Sequence, residues 1–117
     1  MKRGGGSNPF DDTQLRSIYD DYEFCCFCGG AYADCFDHVI SRANKYTDSI
    51  VNASPMHNHK CNIGKHGEMH TFDNQVKLLK TNLRRLKTEL YKLTDYDMKF
   101  IAEYKQAQIA YEQSDYN

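Results

Sequence analysis

Cys25-Cys26-Phe27-Cys28, Asp37-His38, Asn52 and His57-Asn58-His59-Lys60-Cys61-Asn62 carry the residue types of this chain best suited to bind metal ions or move protons. Cys25-x-x-Cys28 and the pair His57 and Cys61 form two half-sites, the arrangement by which separate loops close a tetrahedral structural zinc centre. A Cys3His set results. His59 is near enough to Cys61 to take the place of His57, although a spacing of two leaves little backbone for both ligands to converge, which favours His57. Cys26 points away from a metal held by its neighbours and Cys35 falls in a strand, so both read as packed thiols. Disulfides suit the pattern poorly, because the chain has five cysteines and adjacent partners would be strained.

Between the half-sites, the His38 imidazole is neutral near pH 7 and can take a proton from water. Phosphodiester hydrolysis needs such an acceptor, charge stabilisation on the phosphate and help for the departing oxygen. Asp37 and His38 project to opposite sides of a regular strand, so they serve one site only where the hairpin twists or ends.

The order Cys25-x-x-Cys28, Asp37-His38, Asn52, Cys61-Asn62 covers residues 25–67 and resembles the HNH nuclease family. Each piece alone is common; four in order are specific. The phrases CCFCGG (25–30), DHVISR (37–42), Asn52 and HKCNIGKHG (59–67) resemble more particularly the phage NinG/Rap recombination nucleases. The chain departs from that pattern in having His57 where a Cys is usual and one extra residue before Cys61. In broader design it is also similar to the endonuclease VII group of junction resolvases. The resemblance implies a zinc-stabilised ββα-metal core of treble-clef type, with Asp37 and Asn62 holding one Mg²⁺ or Mn²⁺ ion, a hard cation that accepts such oxygens readily. His38 is then the general base, and Asn52 the central Asn whose side chain ties the loop and fixes the His38 strand; an ordinary turn Asn is the alternative. His66, four residues after Asn62, shares its face on a helix and is either a further metal ligand or a solvent-facing His. Arg42, Lys60 and Lys65 flank the site and would meet phosphates on either side of the cut. Branched DNA or a recombination intermediate is the substrate by this resemblance alone.

The elements that must carry these residues are short until residue 71. Leu15, Ile18, Tyr19 and Tyr22 have helical spacing within Asp11 to Glu23, and acids at its start favour the helix dipole. Phe24 to His38 reads as a zinc knuckle and hairpin, with Val39-Ile40 continuing the strand. Residues 41–60 read as an irregular loop marked by Asn52 and Pro55. A short helix from Cys61 to Gly67 is weakened by Gly64. Val76, Leu79, Leu83, Leu86, Leu90 and Leu93 then follow a heptad seam that must be buried. Thr94-Asp95 offers an N-cap, and Met98, Ile101, Ala102, Tyr104, Ile109 and Tyr111 predict a second helix folding back.

A chain of 117 residues has room for one domain, too small to be comfortably stable without a staple or a partner. The fold expected is α+β: a loose tail over 1–9, a zinc-bound nuclease core over 10–70, and a C-terminal helical hairpin over 71–117 whose seam could form a two-fold homodimer. Hydrophobic residues make up 40% and charged residues 26%, which argues against disorder. No apolar run approaches the ~20 residues that cross a bilayer, and a cytoplasmic protein without a membrane partner is expected. The formal charge of −1 hides an asymmetry: residues 38–92 hold ten Lys or Arg against four acids, +6, whereas residues 10–37 hold one Arg against seven acids, −6. A basic face of that kind can follow a phosphate backbone, or be a solvated helix surface. The rivals to a junction-directed nuclease are a less selective HNH nicking or homing-type endonuclease and a non-catalytic zinc module that binds nucleic acid. Asp37-His38 with Asn62 discriminates, since a zinc scaffold has no need of them.

Overall fold

The computed structural model describes residues 35–41, 44–56 and 70–116. In chain order these form β1 (Cys35–His38), a 3-10 turn (Ile50–Asn52), β2 (Ala53–Met56), α1 (Phe72–Thr88), α2 (Asp95–Glu103) and α3 (Lys105–Gln113). The described part is thus a small α+β fold, with three helices and a two-stranded antiparallel sheet. The expected N-terminal helix, zinc knuckle and Cys61 to Gly67 helix lie outside the described residues.

The register pairs Cys35 with Met56, Phe36 with Pro55, Asp37 with Ser54 and His38 with Ala53. A strand over 53–56 departs from the loop expected there, and β1 stops at His38 instead of running through Ile40. Pro55 is tolerated for a geometric reason. The Val39 amide donates to the Asn52 carbonyl at 3.1 Å, so the 39/52 pair is hydrogen-bonded. Alternation along an antiparallel ladder then makes 36/55 a non-hydrogen-bonded pair, where the missing proline N–H costs no ladder bond.

α1 arises where the heptad spacing predicts it. Thr71 caps its start by accepting from the Asn74 amide at 3.3 Å, and Asp73 sits in the first turn, with Arg85 and Lys87 in the last, as the helix dipole favours. The seam is only partly helical. α1 ends at Thr88, the Leu90 amide donates to the Lys87 carbonyl and the Tyr91 amide to the Leu86 carbonyl, and Leu90 takes a left-handed φ of 59°. This is a Schellman closure with leucine where glycine is usual. Leu90 is consequently 90% exposed, while Leu79, Leu83 and Leu86 are fully buried.

The return arm is two helices, not one. Thr94 and Asp97 form a reciprocal capping box at the start of α2, as the Thr94-Asp95 signal predicts. The backbone then extends at Tyr104, φ −118° and ψ 129°, and α3 begins. Phe100 and Ile101 of α2 are buried where Met98 and Ala102 are exposed, so the core face differs from the expected one by a fraction of a turn. Ala107 and Ala110 of α3 join Leu78, Leu79, Leu83 and Leu86 in one core with Val39, Ile40, Ile50, Val51 and Ala53. α1 packs most extensively against α3. The central leucines of the seam are therefore covered by the chain's own helices, and a dimer through the C-terminal arm has to use other faces. Among the described residues no helix is long and apolar enough to cross a membrane.

Candidate functional site

His38 is the last residue of β1, and the next two residues bend away from the strand direction. What fixes that bend is Asn52, whose residue is fully buried. Its Oδ1 accepts from the Ile40 amide at 2.8 Å, and its Nδ2 donates to the Ile40 carbonyl at 3.0 Å and to the Thr47 carbonyl at 2.9 Å. The side-chain amide thereby acts as a surrogate peptide group, prolonging the ladder by one residue after the backbone of β2 has turned off. The Asn52 amide is itself engaged by the Ser49 carbonyl at 2.9 Å in the 3-10 turn. Gln75 of α1 donates from Nε2 to the Val39 carbonyl at 3.1 Å and accepts from Gln106 of α3 at 2.8 Å. Each buried polar group on the segment after His38 that these bonds reach would otherwise carry a desolvation cost.

Strand alternation puts Asp37 on the face of Ser54, and His38 on the opposite face with Ala53. The Ser54 hydroxyl donates to Oδ1 of Asn82 at 3.0 Å, and Asn82 donates onward to the Val51 carbonyl at 2.8 Å, so Asp37 shares a face with a polar contact to α1. The His38 side chain is 12% exposed, with Nε2 at 3.4 Å from Oδ1 of Asp48. The two neighbours therefore lie on opposite faces of β1 at its end.

The loop joining the two strands is anchored at several points. Asp97 of α2, 2% exposed, accepts from the Ser49 hydroxyl at 2.6 Å on one oxygen, and from the Tyr91 hydroxyl and the Thr94 amide, each at 2.9 Å, on the other. The Tyr104 hydroxyl donates to the Lys45 carbonyl at 2.5 Å. Burial raises the Tyr104 phenol above its ordinary range, with Glu103 and Tyr96 adding to the effect, so it remains a donor at neutral pH. Tyr46 adopts a left-handed φ of 61° and meets Tyr96 edge-on at 5.7 Å.

Of the residues singled out from sequence, Asp37, His38 and Asn52 are thus brought within one clamped hairpin. Cys25, Cys28, His57 or its substitute His59, Cys61, Asn62, His66, Arg42, Lys60 and Lys65 lie outside the described residues. Among the described residues no group of three or more His, Cys, Asp or Glu is gathered to hold a metal ion. By donor type the assigned sets suit their metals, carboxylate and amide oxygen for a hard cation, thiolate and imidazole for zinc. Asp48, Ser49 and Gln75 were missed from sequence, and so were the contacts of Asp97 and Tyr104 with the loop, since each of these contacts spans ten or more residues and leaves no local pattern. No protein-family model, curated protein or solved structure matches the chain.

Proposed function

We propose that the protein is a divalent-metal-dependent DNA endonuclease of the HNH type, acting on branched DNA or recombination intermediates in a reducing cytoplasm. The observation that carries this reading is the Asn52 clamp: a buried Asn, at the position of the motif's central Asn, binds both backbone groups of Ile40 two residues after His38. An ordinary turn Asn has no need to be buried with three bonds. The clamp holds His38 at a strand end, where its imidazole can take a proton from the attacking water. Asp37 and Asn62, with His66 as a further ligand, would hold one Mg²⁺ or Mn²⁺ ion, which supplies charge stabilisation on the phosphate when bound. Cys25, Cys28, Cys61 and His57 or His59 would hold structural zinc. Arg42, Lys60 and Lys65 would meet the flanking phosphates, and any homodimer would form on exposed faces of α1 to α3.

The test uses the full chain with Mg²⁺ or Mn²⁺ against linear, nicked, flap and four-way-junction DNA. Cleavage should favour the branched substrates, and His38→Ala should lower the single-turnover rate ~10²–10⁴-fold while zinc content and DNA affinity hold. Full activity in His38→Ala, or zinc-replete protein that binds every substrate and cuts none, would overturn the nuclease and leave the binding module.

A further inference from the structure

We propose that Asp48 is a positioning residue for His38, fixing the ring with its N–H on Nε2 so that the lone pair that takes a proton from water is on Nδ1. The placement comes from geometry alone; its catalytic consequence rests on the endonuclease reading. Oδ1 of Asp48 is 3.4 Å from His38 Nε2, a long contact taken by itself. Its weight comes from the support beneath it. Asp48 stands between Thr47 and Ser49, which are 2% and 1% exposed. The Thr47 carbonyl accepts from Asn52 Nδ2, and the Thr47 hydroxyl donates to the Asn44 carbonyl at 3.1 Å. The Ser49 hydroxyl donates to Asp97 and accepts from the Val51 amide at 3.2 Å. The backbone on both sides of Asp48 is therefore already ordered by folding, which leaves the carboxylate's own rotamer entropy and its partial loss of hydration to oppose the contact.

The fold itself has little use for this pair. The Asp48 side chain is 48% exposed, and an ion pair with so wet a partner contributes little to stability. Yet the same Asn52 that clamps the segment after His38 also grips Thr47, so one side chain sets the imidazole and the carboxylate relative to each other. A neutral imidazole has one N–H and one lone pair, whereas a carboxylate only accepts; the contact selects the tautomer protonated on Nε2. In hydrolysis, water forms a new P–O bond while its proton passes to Nδ1. The P–O bond to the departing sugar oxygen breaks, that oxygen gains a proton from solvent, and the imidazolium returns its proton to solvent. The Asp48 carboxylate would stabilise the transient imidazolium, as an orienting carboxylate does in other His-dependent hydrolases.

Two readouts on the full-length, zinc-replete protein test this. In ¹⁵N spectra taken where the ring is neutral, His38 should be predominantly protonated on Nε2, and Asp48→Ala should shift it toward the other tautomer. Single-turnover cleavage of the preferred DNA should slow about 10- to 100-fold in Asp48→Ala, less than the loss of the base itself, with DNA affinity and melting temperature unchanged. Asp48→Glu should recover part of the rate. An unshifted tautomer in Asp48→Ala overturns the proposal whatever the cleavage result, and so does an unchanged cleavage rate beside a shifted tautomer. If the unaltered protein cuts no DNA, the endonuclease reading fails on its own, and the spectra alone decide whether Asp48 positions the ring.

Discussion

Asn52 does with one side chain what a strand does with a backbone. Both its amide hydrogens and its carbonyl oxygen are used, on Ile40 and Thr47, in a site without exposure. Asn52→Ala would leave an amide and two carbonyls to find new partners or go without. We expect a loss of about 2–4 kcal/mol in urea unfolding, the scale of a buried network broken at its hub. Asn52→Asp should be nearly as damaging, because a carboxylate accepts but cannot donate to the two carbonyls. A loss under about 1 kcal/mol, the worth of a single hydrogen bond, would contradict the clamp. This residue was legible in the sequence because it belongs to an ordered set of motifs. Asp48 was not: ten residues separate it from His38, and only the loop's path, fixed by Ser49 on Asp97 and Tyr104 on Lys45, brings it near.

At the scale of elements, spacing announced α1 and the capping pair announced α2, because both signals are local. Their ends were less legible. The heptad continues through Leu90 and Leu93, but the backbone closes after Thr88, and no glycine marks the spot. The two helices of the return arm divide at Tyr104 without a Gly or Pro to signal the break. β2 was hidden for the opposite reason: Ala-Ser-Pro-Met has no β-branched residue, and its proline speaks against a strand unless the register is known. Leu90 offers a direct test of the helix end. A non-glycine residue in the left-handed region costs roughly 1–2 kcal/mol, and the exposed Leu90 side chain returns little by burial. Allowing for the greater freedom of glycine in the unfolded chain, Leu90→Gly should stabilise the protein by about 0.5–1 kcal/mol and raise its Tm by a few degrees. A lower Tm would show that the Schellman closure is not the form in solution.

For the molecule as a whole, the leucines of α1 share one core with Val39, Ile40, Ile50, Val51 and Ala53, and the proposed reading adds a zinc staple to the part of the chain before that core. Zinc should accordingly be present at about one ion per chain, and a strong chelator should lower the Tm and end cleavage even with Mg²⁺ in excess, with added zinc restoring both. Cleavage by a folded sample free of zinc would remove the structural metal from this reading. The loop that carries Asp48 connects the two parts in a particular temporal order. Its anchors, Asp97 on Ser49 and Tyr104 on Lys45, come 48 and 59 residues later in the chain. During synthesis, every residue assigned to the proposed site is therefore made well before the side chains that hold the loop beside His38. A polypeptide stopped short of residue 97 would contain the whole motif and lack these two fastenings, so on the proposed reading the protein's chemistry would wait for its own C-terminal helices to be made.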